Sequence, residues 1–385
     1  METNSEMVEA TAPPAEQNET ALPQTPAAIN RIARALAAKP FRPHRLFQGG
    51  HAQTLAGYAW PRPRHLGADH HRDEMRLFEV EPEVRLLVHC RWQSGRRAHP
   101  TLVLVHGLEG SSESAYMLST AFKAYRVGFN VLRLNMRNCG NTEHLTPTLY
   151  HSGMSGDLRA VVAELITRDR LPHISLVGVS MGGNLVLKLA GEYGEAVPHE
   201  VASICAISPS LDLSACADAI ERRSNWIYQQ TFVRSLRRRI RRKKRLYPEL
   251  YDTRELRRVR TIRSFDERYT ALHCGYANAA DYYTRASALP LIPRIHVPTL
   301  IIHAQDDPFI PFASFLHPSL AANPYLLLIT PLHGGHVGFV ADDTDGEDRF
   351  WMENRAVEFS RLIYEEQTKE TPPRNDESGS EFPSV

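Results

Sequence analysis

Cysteine is scarce and scattered in this 385-residue chain. Cys90, Cys139, Cys205, Cys216 and Cys274 make five, an odd number, and no Cys-x-x-Cys pair occurs. That pattern excludes a disulfide framework and a zinc ribbon and fits reduced thiols in a cytoplasmic protein. Long apolar runs are missing too, since none approaches the roughly 20 residues of a membrane-spanning helix. The N-terminus lacks the basic-then-apolar pattern of a secretory signal. Gly-rich phosphate loops, dinucleotide fingerprints and metal-ligand spacings are absent, so neither cofactor nor metal is expected. What remains, with 42% hydrophobic and 23% charged residues, is too apolar for a disordered chain and lacks the repeats of collagen or a coiled coil.

The net charge of +1 conceals a separation: Arg222–Arg268 carries 17 Lys/Arg against 5 Asp/Glu. Residues 1–28 hold five Glu, four Pro and no Lys or Arg, and residues 367–385 are similarly polar, so both ends are expected to be disordered tails. Between them, over 29–366, short β-branched runs read as buried strands: Thr101–Val105, Asn130–Asn135, Ile174–Val179, Ile204–Ser208, Thr299–His303 and Tyr325–Thr330. Helical segments fall at Ala115–Tyr125, Asp157–Arg168, Gly182–Tyr193 and Asp348–Tyr364. Alternation of this kind predicts an α/β fold, a mostly parallel sheet with helices on both faces. Residues 211–289 break the rhythm; they are helical, basic and Tyr-rich, and read as an insertion forming a lid.

The chemistry-bearing residues occupy the ends of these strands. Gly178-Val179-Ser180-Met181-Gly182 is a G-x-S-x-G between a strand and a helix, where glycines allow a sharp turn that lifts Ser180 out of the sheet. His106-Gly107-Leu108-Glu109-Gly110 follows an early strand and can offer a backbone donor at Leu108, to pair with the Met181 amide as an oxyanion hole. The acid should follow a later strand, where Asp306-Asp307-Pro308 stands. Asp307 is favoured because Pro308 fixes the turn, with Asp306 as the alternative. The base should come one strand later still, in His333-Gly334-Gly335-His336-Val337-Gly338-Phe339, with His336 favoured and His333 the alternative. The order Ser180, Asp307, His336 is the α/β-hydrolase order of the serine triad.

Further motifs resemble the YheT/ABHD-type α/β-hydrolases. One signature runs through Asp266, Gly275-Tyr276, Asp281-Tyr282-Tyr283, Ser287, Ile295, Pro298, Leu300, Ile302 and Asp306-Asp307. Gly50-His51-Ala52-Gln53-Thr54 resembles the family's N-terminal motif; Asn135-Met136-Arg137-Asn138-Cys139-Gly140 with Tyr150-His151-Ser152-Gly153 resembles its central one. The resemblance spans about Arg42 to Phe359. It implies a serine hydrolase of carboxylic esters, sometimes of acylglycerols or phospholipids, with the triad on Ser180, Asp307 and His336. In some members it implies acyl transfer to an alcohol.

Residues 233–247, VRSLRRRIRRKKRLY, place Val233, Leu236, Ile240 and Tyr247 on one helical face and cations on the other. A solvated lid face explains this; so would peripheral contact with anionic lipid through Arg234 to Arg245. No nucleic-acid module accompanies the charge, and no nucleic-acid partner is expected. Tyr276, Tyr282 and Tyr283 read as packing beneath the lid rather than a substrate platform. The expected partner is a small-molecule ester. A non-catalytic adaptor using the basic lid is the reading from another class, and three intact triad residues argue against it.

Overall fold

A computed structural model describes residues 26–62, 73–342 and 346–370. The chain enters its sheet through a hairpin that sequence reading missed, β1 (Glu74–Glu81) and β2 (Val84–Arg91). β2 alternates, burying Val84, Leu86, Val88 and Cys90, while β1 is largely exposed. Such one-sided strands lack the continuous apolar run that marks a central strand. The remaining strands are β3 (Thr101–Val105), β4 (Asn130–Leu134), β5 (Ile174–Val179), β6 (Val201–Ile207), β7 (Thr299–Ile302) and β8 (Leu326–Ile329). The sheet order is β1-β2-β4-β3-β5-β6-β7-β8; β1, β2 and β4 pair antiparallel and all later pairings are parallel.

Among the described residues the longer helices are α1 (Pro26–Ala37), α2 (Gly50–Ala59), α3 (Ala115–Arg126), α4 (Ser155–Thr167), α5 (Met181–Tyr193), α6 (Leu213–Ile220), α7 (Trp226–Leu246), α8 (Ala279–Ala286) and α9 (Trp351–Glu370). Strand alternation assigns them to faces. Leu102 and Leu104 of β3 pack with Ile32 of α1, Met117 of α3 and Phe359 of α9; Val103 and Val105 pack with Leu158 of α4 and Leu185 of α5. Helices take in the inner ends of both expected tails: α1, which buries Ile29, Ile32 and Leu36, starts at Pro26, and α9, expected over Asp348–Tyr364, spans Trp351–Glu370. The rest of both expected tails, 1–25 and 371–385, lies outside the described residues.

Between β6 and β7 the chain leaves the sheet for α6, α7, α8 and short turns, with no strand among the described residues. α7 buries Val233, Leu236 and Ile240 against Leu149, Tyr251, Leu256 and Phe265. Each such side chain contributes on the order of 1.5–3 kcal/mol when fully buried. Among the described residues no helix is long and apolar enough to cross a membrane.

Candidate active site

Ser180 stands between β5 and α5 at φ 55°, ψ −117°. Such a backbone costs a residue bearing a Cβ roughly 1–3 kcal/mol and persists only where its surroundings enforce it. They do so tightly. A Cβ on Gly178 would lie 2.2 Å from the Gly182 carbonyl oxygen, and one on Gly182 would lie 2.3 Å from that of Val105. The Ser180 N–H donates to the Ile207 carbonyl at 2.8 Å and ties the turn to β6.

The ends of β7 and β8 bring two further groups to this serine. His336 Nε2 is 3.0 Å from Ser180 Oγ, and His336 Nδ1 is 2.8 Å from Asp307 Oδ2. With the proton on Nδ1 donated to the carboxylate, Nε2 is free to accept from the serine hydroxyl. Asp307 is buried, and its Oδ1 accepts the N–H groups of Phe309 and Ile310 at 2.8 and 3.0 Å. Burial alone would raise its pKa, but the charge and hydrogen bond of His336, helped by His303 and the Ile310 N–H, outweigh burial and hold it below the usual carboxylate value. Asp306 turns the other way: Oδ2 meets His333 Nδ1 at 3.1 Å and Oδ1 accepts the Gly335 N–H at 2.9 Å. Of the two expected acid–base alternatives, Asp306 and His333 therefore pair with each other.

Leu108 and Met181 border the same cavity as Ser180 and His336. Met181 opens α5, where leading N–H groups have no partner within the helix. The Leu108 loop presses on the serine, since a Cβ on Gly107 would lie 3.1 Å from Ser180 Cβ. His106, beside it, is a brace: its Nδ1 meets the Gly107 carbonyl at 2.8 Å and its Nε2 accepts the Met136 N–H at 3.1 Å. Burial lowers its pKa to about 4, so it stays neutral.

Sequence reading missed what holds this loop. Glu109, at φ 59°, donates its N–H to Tyr150 Oη at 3.0 Å and accepts the Tyr150 hydroxyl proton at 2.7 Å. Its carboxylate also takes Arg239 at 2.9 Å and the Ser235 hydroxyl, both from α7. The insertion thus grips the loop that carries Leu108. A glutamate in a glycine-flanked loop and an arginine in a basic run each look solvated, and nothing in their spacing couples them.

The cavity measures about 130 Å³, and its walls are largely apolar, with Leu213, Phe232, Leu236 and Phe309 among them. Asp266 interrupts that lining. Burial raises its pKa to about 6 against the pull of the Thr270 and Tyr283 hydroxyls that donate to it at 2.6 and 2.8 Å. Tyr282 and Tyr283, expected as packing, are each 4% exposed and also line the cavity. Among the described residues no group of three or more His, Cys, Asp or Glu side chains is placed to hold a metal ion.

Comparison with known proteins gives one coherent picture. Residues 100–342 match the family profile described as alpha/beta hydrolase fold. The chain is 34% identical over 258 residues to YheT of Escherichia coli, whose name assigns it provisionally to the esterases; the match covers 66% of this chain and 75% of that one. It is 30% identical to mouse phospholipase ABHD3 over 242 residues, 63% of this chain. It is 31% identical to the monoacylglycerol lipase of Saccharomyces cerevisiae over 283 residues, 70% of this chain. These matches span 58% and 61% of the two eukaryotic proteins' own lengths. Among solved structures, the Pyrococcus furiosus esterase Pf2001 shares the fold with a TM-score of 0.50 at 16% identity, over 84% of this chain and 98% of that one.

Proposed function

Because the chain belongs to the α/β-hydrolase family, we propose that it is a carboxylic ester hydrolase with Ser180 as nucleophile. The observation that carries this reading is the relay from Ser180 Oγ through His336 to Asp307, at 3.0 and 2.8 Å, on the wall of an apolar cavity. His336 Nε2 takes the hydroxyl proton as Ser180 Oγ attacks the acyl carbon. The Leu108 and Met181 N–H groups hold the oxyanion. Collapse breaks the ester C–O bond, and the leaving alkoxide takes the proton from Nε2. Water then attacks the acyl-enzyme, giving its proton to Nε2, and release of the acid returns that proton to Ser180. Asp307 holds the tautomer and stabilises the imidazolium throughout. The insertion serves as a lid over this site. Were an alcohol to enter in place of water, the same steps would transfer the acyl group; the apolar walls favour such an acceptor.

A second feature supports an acyl lipid as the ester. On the outer side of α7, Arg237, Arg241, Arg254 and Arg257 line a concave surface of about 560 Å³. Arg241 and Arg257 are exposed, which suits contact with an anionic lipid interface.

The test is a fluorophosphonate probe on wild type beside Ser180→Ala, followed by p-nitrophenyl esters of increasing chain length. Labelling and turnover in wild type alone are expected. Equal labelling of both proteins, or none in folded wild type opened by mild detergent, would overturn the assignment.

A further inference from the structure

The Gly50-His51-Ala52-Gln53-Thr54 motif has no part in the relay, yet it lies against the loop that carries His336. That loop is held in a conformation it would not keep alone. Positive φ recurs at Gly334 (147°), Gly335 (58°), Val337 (59°) and Phe339 (43°), so His336 is flanked on both sides by left-handed residues. For the β-branched Val337 this is strongly disfavoured, and the surroundings must impose it.

The imposition comes from the first turns of α2. The His336 N–H donates to Thr54 Oγ1 at 2.8 Å, while the Thr54 hydroxyl donates its own proton to the Gly50 carbonyl at 2.7 Å. With that proton committed, the oxygen is oriented as an acceptor for His336. One residue earlier, the fully buried Gln53 grips the far end of the loop. Its Oε1 accepts the Val340 N–H at 2.8 Å, and its Nε2 donates to the Val340 and Phe47 carbonyls at 3.1 and 2.6 Å. The backbones interlock without side chains. A Cβ on Gly335 would lie 2.2 Å from the Gly50 oxygen, one on Gly338 2.3 Å from the Gln53 oxygen, and one on Gly50 1.9 Å from the Asp306 oxygen. α2 is thus wedged between the turn that carries the acid and the loop that carries the base.

We infer that Thr54 is a positioning residue for the reaction: its hydroxyl fixes the main chain of His336, and with it the imidazole, between Asp307 and Ser180. The inference rests on the triad reading above. It assigns the motif a task, since Gly50 permits the approach to Asp306, Gln53 sets the exit of the loop and Thr54 sets its centre.

Thr54→Val keeps the shape and removes the acceptor, leaving the His336 N–H unsatisfied. With a p-nitrophenyl ester, kcat is expected to fall by about 10- to 100-fold, the scale on which misplaced catalytic groups lose rate, with KM changed less than about twofold. Thr54→Ser restores the acceptor and is expected to return kcat to within about threefold of wild type. Should Thr54→Val not accumulate as folded protein by circular dichroism, Thr54→Ala, which likewise removes the side-chain acceptor that fixes His336, carries the same expectation. A kcat within about twofold of wild type in the folded variant would overturn the inference, as would Thr54→Ser failing to rescue or a loss confined to KM. Ser180→Ala separates the two readings. If it is inactive while Thr54→Val is fully active, only the positioning role falls; if it keeps wild-type turnover, the hydrolase reading falls as well.

Discussion

Asp306 and Asp307 share a backbone turn, and their different surroundings divide the work between them. Asp307 is buried on His336, and Asp306 anchors Gly335 and His333. Asp307→Asn is therefore expected to lower kcat by on the order of 10³- to 10⁴-fold through the wrong imidazole tautomer. Asp306→Asn, which keeps an acceptor for Gly335, should cost less than about tenfold. Steady-state kinetics of the two variants decide this, and a reversed ranking would move the acid to Asp306. The carboxylate of Asp307 also adds to stability. Its folded pKa is depressed, so the contribution is present above the unfolded carboxylate value and is lost as pH falls through the folded one. The sequence favoured Asp307 because Pro308, locked at φ near −65°, limits the directions of the turn, and it is Asp307 that stands 2.8 Å from His336. Thr54 was not readable in that way. Its partner is the backbone of a residue 282 positions away, and a hydroxyl that serves a main-chain N–H has no sequence pattern.

At the scale of the element, α7 departs most from its sequence. Periodicity gave Val233, Leu236, Ile240 and Tyr247 as the inward face; the first three are buried, and Tyr247, just past the helix end, is half-buried. Two cations of the basic run, Arg239 and Lys243, share that face, at 8% and 0% exposure. Each finds its partners in distant chain: Arg239 on Glu109, and Lys243 on the carbonyls of Glu143 and Thr146. A run of arginines and lysines looks uniformly solvated until those acceptors are folded beneath it. Burial, with help from the charge of Arg239 and against that of Glu143, lowers the Lys243 pKa to about 7. An unfolded lysine titrates near 10.4, so between about pH 7 and 10 the unfolded chain binds more protons and stability rises with pH. Thermal melts of wild type and Lys243→Met at pH 7 and pH 9 test this. Wild type should gain on the variant by a few degrees on the order expected for a small free-energy change. A gap that stays constant, or that moves against wild type as pH rises, refutes it.

Over the whole molecule, the central strands were legible because they are buried on both faces. Val103 and Val105 serve one helical layer while Leu102 and Leu104 serve the other, and a continuous apolar run is the outcome. The hairpin of β1 and β2 was not legible, because its strands are apolar on one face only and carry exposed residues such as Glu79 and Arg85 on the other. Charge is likewise a property of the whole. The excess of Lys and Arg between Arg222 and Arg268, set against a net +1, concentrates positive charge in the insertion, part of it exposed at Arg241 and Arg257. Sedimentation with vesicles should show binding to phosphatidylserine-containing membranes that weakens between 50 and 500 mM salt, at about the ionic strengths where screening lengths fall below 10 Å. Binding of equal strength to purely zwitterionic vesicles would remove the lipid-surface reading. The long excursion between β6 and β7 also has a consequence in time. Synthesis delivers the elbow first and His336 156 residues later, after the entire insertion has passed. On the proposed relay, a ribosome-bound chain at that stage carries Ser180 without the imidazole that would take its proton, and turnover is expected only once the chain through His336 has emerged.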